Sequence, residues 1–208
     1  MKAMLKDAGI LFVITLISGL VLGFVYDLTK EPIAAQEVQK TQAAYREVLP
    51  EAADFEVLYD GSDGAGGSIT KEQIDEAIAG TQSDADIRAI VAAKDEAGSI
   101  IGYILTVTDH EGYGGDITFA MGIRSTEHAL SGASILSISE TAGLGMRAEE
   151  VIVPQLPGKD MNEDITFTKA GDAAGNQIDA ISGATVTTTA FVNGLNAGRA
   201  VYAQLLAE

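Results

Sequence analysis

Two hydroxyl side chains, Ser182 and Thr185, flank a pair of small residues near the C-terminus, and Asp179 lies three positions before Ser182. A helical pattern of apolar residues follows this segment. The first turn of a helix presents unpaired N–H groups and a positive dipole end, and both favour a bound anion. The small Gly183 and Ala184 leave room for a modifying enzyme and for an anionic group. The alternative is that Ser182 or Thr185 only caps the helix.

A second polar segment, with the sequence ETAGLG, runs from Glu140 to Gly145. Glu140 and Thr141 carry groups that can hydrogen-bond the polar atoms of a ligand. Gly143 and Gly145 let the backbone approach a flat ligand closely. The segment therefore predicts a ligand-lining loop, and the alternative is an ordinary connection between a strand and a helix.

A third segment, with the sequence GYGG at 112–115, precedes an apolar run rich in β-branched residues. Tyr113 either packs on the same ligand or is the surface residue of a hairpin turn. The two histidines, His110 and His128, lack the spacing of known metal-binding motifs. The sequence therefore predicts no metal site, and no set of catalytic side chains stands out.

Composition narrows the possible functions. The 208-residue chain has no cysteine and a formal net charge of −17. Without thiols it cannot attach haem through C-x-x-C-H, ligate an iron–sulfur cluster by thiolates or form disulfides. The negative charge argues against a nucleic-acid partner, because a polyanion would be repelled. The length allows one domain with a substantial core and an accessory segment.

The N-terminal segment 8–26 contains no charged residue and is long enough for a transmembrane helix. Lys2 and Lys6 precede it, so the positive-inside rule predicts a cytoplasmic N-terminus and a domain on the other side of the membrane. The alternative is a cleavable signal peptide, but no small-x-small site directly follows the apolar run. We therefore predict a retained, single-pass anchor in the lipid of the cell membrane.

The rest of the pattern predicts an α+β domain with a mixed or antiparallel sheet and flanking helices. Helices are predicted over 29–50 (beginning near Pro32), 70–79 and 187–206. Strands are predicted over 87–93, 100–108, 117–123, 133–139, 165–167 and 178–181, with 151–153 as a strand or part of a helix and 61–68 as a loop. The predicted domains are the N-terminus and transmembrane helix 1–28, a connecting helix 29–50 and a ligand-binding domain 51–208.

Taken together, these three segments resemble the FMN-binding domain shared by the RnfG protein of the Rnf complex and the NqrC protein of the sodium-pumping quinone reductase. In that family the last Thr of S-G-A-T carries FMN through a phosphoester bond, which implies covalent FMN on Thr185. Ala142 stands where the family usually has Pro, which implies a less rigid loop. The resemblance implies that the cofactor site also includes Ser182, Gly183, Ala184, Asp179, Glu140, Thr141, Gly143, Leu144 and Tyr113.

The resemblance also implies a function. The chain would be a membrane-anchored subunit of an ion-translocating complex that moves electrons between ferredoxin and NAD and couples this to sodium or proton transport. By itself it would be an electron carrier, with its FMN domain outside the cytoplasm. The implied partners are the other membrane and redox subunits of the complex and a flavin transferase that forms the covalent bond.

Three alternatives stay open at this point. The chain could be a flavoprotein like NqrC of the quinone reductase, although those chains are usually longer. It could be a stand-alone flavoprotein for extracellular electron transfer. It could also be an anchored sensor or adhesion module that binds no flavin and is therefore colourless.

Overall fold

The computed structural model describes residues 2–61, 67–81 and 83–207. Most of the loop predicted over 61–68 lies outside these ranges. The chain divides into two compact units, Met1–Thr41 and Gln42–Glu208. The domain boundaries predicted after residues 28 and 50 stay predictions.

Helix α1 (Lys2–Val48) supplies the described structure of the first unit. Among the described residues it is the one helix long and apolar enough to cross a membrane, and its large apolar side chains from Ile10 to Val25 are exposed. The prediction that a separate helix begins near Pro32 is wrong, since α1 passes through this residue. A proline removes one N–H donor, and the helical turns on both sides continue without that single hydrogen bond.

The second unit is built on an antiparallel sheet of five strands arranged in chain order. From the third strand onward, each strand turns back on its predecessor through a short connection. The strands are β1 (Asp54–Asp60), β2 (Ala85–Lys94), β3 (Ile100–Asp109), β4 (Ile117–Arg124) and β5 (Ala129–Ile138).

The predicted α+β fold is confirmed in its main elements. The predicted hairpin is β2–β3, in which Ile87 pairs with Val107 and Val91 pairs with Ile104. Strand β1 was not predicted. It lies at the edge of the sheet, and Tyr59 is its only buried residue, so its sequence carries little apolar signal.

Helices and two short strands complete this unit. Helix α2 (Lys71–Ile78) connects β1 to β2 and begins with a capping box between Thr70 and Gln73. The final helix begins two residues earlier than predicted, at Thr185. The other elements are α3 (Ala148–Val151), the parallel strands β6 (Thr166–Thr168) and β7 (Gln177–Asp179), α4 (Thr185–Val201) and a π-helical turn at Tyr202–Leu206.

Helix α4 packs on one face of the sheet. The ring of Phe191 stacks on that of Phe119, with centroids 4.3 Å apart. Gly194 and Gly198 face the sheet, and a Cβ on either residue would crowd the side chain of Phe119 or Met121. The helix backbone therefore lies close to the strands, which holds the first turn of α4 beside the connection between β3 and β4.

The opposite face of the sheet is covered by the end of α1 and the residue after it. One hydrophobic cluster lies between the sheet and α4 and includes Phe119 and Phe191, and a second lies under the end of α1. Alternate side chains of a strand point to opposite faces, so β2 to β4 contribute to both clusters. Ser131 Oγ of β5 donates a hydrogen bond to the Val48 carbonyl (2.6 Å). The second cluster consists of Ala44, Val48, Leu49, Val91, Ala93, Ile104 and Ala120.

Asp109, the last residue of β3, is a fully buried carboxyl group. Its oxygens accept hydrogen bonds from the Ser83 hydroxyl (3.1 Å) and from the Glu111 N–H (2.9 Å). Burial nevertheless raises the pKa of Asp109 to about 6, because removal from water disfavours the charged form. The folded state therefore binds this proton more tightly than the unfolded state does.

Asp109→Asn should change the pH dependence of stability. The folded pKa lies above the unfolded value, so the protonated carboxyl favours folding at low pH, and this contribution is lost as the pH rises through about 6. Relative to Asp109→Asn, the free energy of unfolding of the wild type should fall by on the order of 2 kcal/mol between about pH 4 and pH 6.5. Urea unfolding of the full chain in detergent measures this difference.

The matched control is Glu76→Gln, since Glu76 is an exposed acid on α2. Its unfolding free energy should follow the wild type at every pH. Parallel pH profiles for the wild type and Asp109→Asn would contradict the expectation.

Candidate functional site

Three segments that are far apart in sequence converge on one pocket of about 480 Å³. The first is the connection between β3 and β4, the second follows β5, and the third is the start of α4. The residues that line the pocket are Tyr113, Glu140, Thr141, Leu144, Gly145, Gly183, Ala184, Thr185, Val186 and Thr187.

The β3–β4 connection carries Tyr113 to the edge of the pocket. His110 fixes its beginning through hydrogen bonds of its two ring nitrogens to Asp116 (2.9 Å) and Asp86 (3.3 Å). The hydrogen bonds to these carboxylates raise the pKa of His110. Gly114 lies so close to the Ser139 carbonyl that no side chain would fit there. The loop therefore packs backbone to backbone against the segment that follows β5.

The segment after β5 forms a compact turn. The Thr141 carbonyl accepts hydrogen bonds from the N–H groups of Leu144 (3.1 Å) and Met146 (3.3 Å). Gly145 is buried beneath the turn, and an added Cβ there would lie 2.6 Å from Thr187 Oγ1 and 2.7 Å from Glu140 Cβ. The absence of a side chain at this position therefore lets α4 and Glu140 approach each other.

The third segment is a hydrogen-bonded turn that leads into α4. The Ala184 N–H donates to the Ile181 carbonyl (3.0 Å), and Gly183 has a φ of +79°. A positive φ at the third position of such a turn favours glycine. Thr185 is the first residue of α4, so it follows this turn directly.

The alternative that Ser182 or Thr185 caps α4 is wrong. The residue at the N-cap position is Ala184, and no described side chain accepts a hydrogen bond there. The first N–H groups of a helix have no partner within the helix, so this end can offer them to an anion.

Glu140 is the one acidic side chain among the residues that line the pocket. Its Oε1 atom is buried and has no hydrogen-bond partner in the part of the chain that the structure describes. A buried polar atom without a partner is costly, so the position suits a ligand that donates a hydrogen bond.

The mouth of the pocket is apolar. Tyr113, Val186 and Leu144 are exposed by 73%, 50% and 40% of their surfaces. Exposed apolar groups that border one pocket are suited to a flat, partly apolar ligand.

The structure brings together seven of the ten predicted site residues around this pocket. The other three, Ser182, Gly143 and Asp179, are not among the residues that line it. Asp179 instead connects neighbouring loops: its carboxylate accepts the Ala173 N–H (3.1 Å), and its own N–H donates to Gln155 Oε1 (2.7 Å).

Two further lining residues, Val186 and Thr187, were not predicted from the sequence. Both belong to the first turn of α4, whose predicted start is residue 187 and whose observed start is Thr185. Thr187 reaches the pocket because it packs close to Gly145, and no local sequence pattern indicates a contact between residues so distant in the chain.

Comparisons with known proteins agree with this geometry. The family model of the FMN-binding domain matches residues 112–199, which include all three pocket segments. The model of the RnfG N-terminal region matches residues 1–48. The G subunit of the Na⁺-translocating ferredoxin:NAD⁺ oxidoreductase complex from Acetobacterium woodii is 31% identical, over 98% of this chain and 94% of its own length. The chain belongs to the RnfG family of ion-translocating oxidoreductase complexes.

Other comparisons extend this result. The G subunit of an ion-translocating oxidoreductase complex from Methanosarcina acetivorans is 27% identical over 94% of this chain and 92% of its own. The crystal structure of the Na⁺-translocating NADH-quinone reductase C subunit from Parabacteroides distasonis superposes with a TM-score of 0.54. It is 19% identical and covers 82% of this chain and 84% of its own, so it shows a shared fold.

The pocket residues fit the cofactor of this family. FMN has a flat ring with hydrogen-bond donors and acceptors and a phosphate at the end of a polar chain. The unpartnered Glu140 Oε1 and the uncapped start of α4 match these two ends of the cofactor. The domain therefore has suitable groups for both the ring and the phosphate.

Gly145→Ala should damage the pocket and destabilise the domain. The added methyl group would overlap Thr187 and Glu140, and such overpacking typically costs about 1–3 kcal/mol. Urea unfolding of the full chain in detergent gives the loss of stability, and a fluorescence titration gives the loss of FMN affinity.

Gly132→Ala is the matched control, because a Cβ there would meet nothing within 4 Å. It should leave both measurements close to the wild type. Equal effects of the two substitutions would show that the close packing at Gly145 is unimportant.

Proposed function

We propose that this chain is the membrane-anchored, FMN-carrying subunit of an ion-translocating ferredoxin:NAD⁺ oxidoreductase complex and relays electrons between other subunits. The observation that carries the proposal is the convergence of three motif segments on the pocket that Thr185 borders. The name and near-complete coverage of the Acetobacterium woodii relative support the same complex. The chain by itself acts as an electron carrier within this enzyme.

The proposed attachment point of FMN is Thr185. Its side chain lines the pocket, and Oγ1 has no hydrogen bond to any described residue. The neighbouring hydroxyls are less available, since Thr187 and Thr188 are buried and Thr189 donates to the Thr185 carbonyl (2.8 Å). Thr185 also lines a second depression of about 210 Å³.

The proposed modification is a phosphoryl transfer. The Thr185 hydroxyl gives up its proton, and its oxygen bonds to the phosphorus of the FMN group. A flavin dinucleotide is a suitable donor, because its phosphoanhydride bond breaks and a nucleoside monophosphate leaves with the bonding electrons. No oxidation or reduction occurs, and a flavin transferase has to position the donor and take the proton.

The start of α4 is proposed to hold the resulting phosphate. The first N–H groups of α4 have no capping side chain and would be available to a phosphate on Thr185, whose negative charge the helix dipole would stabilise. Gly183 and Ala184 add no bulk on the approach. The covalent bond then fixes the cofactor, while the apolar mouth leaves its ring accessible to a partner.

When bound, FMN supplies the electron-transfer chemistry. Glu140 is proposed to accept a hydrogen bond from the ring through its unpartnered oxygen. Tyr113 and Leu144 line the same pocket and would offer apolar contacts to the ring. These residues thus orient the cofactor and set its electrostatic environment.

The proposed topology has the N-terminus in the cytoplasm, α1 across the membrane and the FMN domain on the other side. Lys2 and Lys6 precede the apolar segment, which supports this orientation through the positive-inside rule. The partners are then membrane lipid around α1, the other subunits of the complex and the flavin transferase.

Thr185→Val should abolish covalent labelling by FMN. Wild type and variant are produced with a flavin transferase, denatured and compared by in-gel flavin fluorescence and intact mass. The wild type should fluoresce and gain the mass of one FMN group, while Thr185→Val should do neither. Ser182→Ala is the control and should label normally, and labelling of Thr185→Val would reject Thr185 as the acceptor.

Glu140→Gln should raise the midpoint potential of the bound flavin. A carboxylate beside the ring disfavours the negative charge that reduction adds, and the amide removes this effect while keeping an acceptor oxygen. A shift of some tens of millivolts is expected, because about 1.4 kcal/mol corresponds to about 30 mV for a two-electron couple. Spectroscopic redox titration measures it, with Glu149→Gln as the control. An unchanged or lower potential would contradict the proposed role.

A further inference from the structure

Thr188 carries a hydroxyl group that is fully buried in the first turn of α4. Its Oγ1 donates a hydrogen bond to the Ala184 carbonyl (2.9 Å) and accepts one from the Ile181 N–H (3.1 Å). A threonine hydroxyl has one donor and two acceptor positions, so both bonds can form together. The side chain therefore connects two backbone groups that lie before the helix begins.

These two groups belong to the first and last residues of the turn that precedes Thr185. The turn already has one closing hydrogen bond, from the Ala184 N–H to the Ile181 carbonyl (3.0 Å). The Thr188 hydroxyl adds a second connection between the same residues, through their remaining N–H and carbonyl groups. Both residues are buried, which shields these bonds from water. The turn is therefore held in one conformation from the helix side.

The conformation of Ala184 determines where Thr185 lies. Ala184 has φ −129° and ψ 56°, which is neither helical nor extended, and the chain changes direction here. Its carbonyl accepts hydrogen bonds from both the N–H and the hydroxyl of Thr188. A change in this residue would move the side chain of Thr185, which is next in sequence, relative to the pocket.

We propose that Thr188 is the positioning residue for the modification of Thr185. Its hydroxyl fixes the entry into α4, so that Thr185 Oγ1 borders the pocket where the flavin phosphoryl group must arrive. This inference rests on the proposed attachment of FMN to Thr185. The Thr188 hydroxyl positions Thr185 and forms no bond to the flavin.

The neighbouring Thr189 provides a contrast within the same helix. Its hydroxyl donates to the Thr185 carbonyl four residues earlier (2.8 Å), a common bond within helices that connects nothing outside α4. Thr189→Val therefore removes a threonine hydroxyl of the same helix without breaking the connection across the turn. It is the matched control for Thr188→Val, which keeps the shape of the side chain and removes both bonds.

The test compares initial rates of flavin attachment to the full-length chain in detergent, with a flavin transferase and a flavin dinucleotide as donor. Thr188→Val should label about tenfold or more slowly, because a displaced reacting group strongly reduces the rate. Thr189→Val should stay within about twofold of the wild type, and so should Thr188→Ser, which keeps the hydroxyl. Circular dichroism and thermal unfolding verify that each variant is folded.

A second pair keeps the test decisive if Thr188→Val fails to fold. Thr188→Ser and Thr188→Ala both lack the γ-methyl group and differ by a single oxygen atom. Fast labelling of the Ser variant with slow labelling of the Ala variant supports a role of the hydroxyl. Equal rates for these two variants overturn the proposal.

The outcomes separate this inference from the proposed function. Labelling of the wild type, loss of label in Thr185→Val and a normal rate in folded Thr188→Val would overturn only the role of Thr188. Labelling of Thr185→Val would reject the attachment site, and an unlabelled wild type would reject both proposals.

Discussion

The site depends on the contact of three backbone segments around Glu140, at positions where no side chain would fit. Gly114 lies against the Ser139 carbonyl, and Gly145 lies against Glu140 and Thr187. Any Cβ at these two glycines would push the β3–β4 loop or α4 away from the segment after β5. The two glycines therefore allow the three segments to pack closely, and these backbone contacts fix the distances between the walls of the pocket.

The fold makes this contact possible through the packing of α4 on the sheet. Strands β2 to β5 pair antiparallel in chain order, and the start of β4 pairs with the end of β5. The β3–β4 connection and the end of β5 therefore lie at the same end of the sheet. Gly194 lets α4 approach Phe119, and the Phe119–Phe191 stack fixes the helix along its length. The core thus places the first turn of α4 at that end, while polar and glycine residues there remain available for a ligand.

Much of this arrangement could be predicted from the sequence, and the failures have identifiable physical causes. The β2–β3 hairpin followed from two runs of β-branched residues separated by a turn. The edge strand β1 was missed because it buries little, and the helix start predicted near Pro32 was wrong because one lost hydrogen bond did not end α1. The family resemblance named three segments that the structure brings to one pocket, and it also included Asp179, which does not line that pocket. Its bonds to Ala173 and Gln155 depend on tertiary contacts that no local pattern reveals.

The start of α4 departs from the usual design of helix ends, and the departure has a physical rationale. Replacing a capping Ser, Thr, Asn or Asp by alanine typically costs about 1 kcal/mol, and here Ala184 occupies the cap position. The burial of Phe191, Leu195 and Val201 stabilises the helix without a cap. A side-chain oxygen at the cap would occupy the N–H groups that the proposed phosphate on Thr185 would need. Thr188 stabilises the turn from inside the helix, so the first N–H groups of α4 need no capping side chain and stay free for the proposed phosphate.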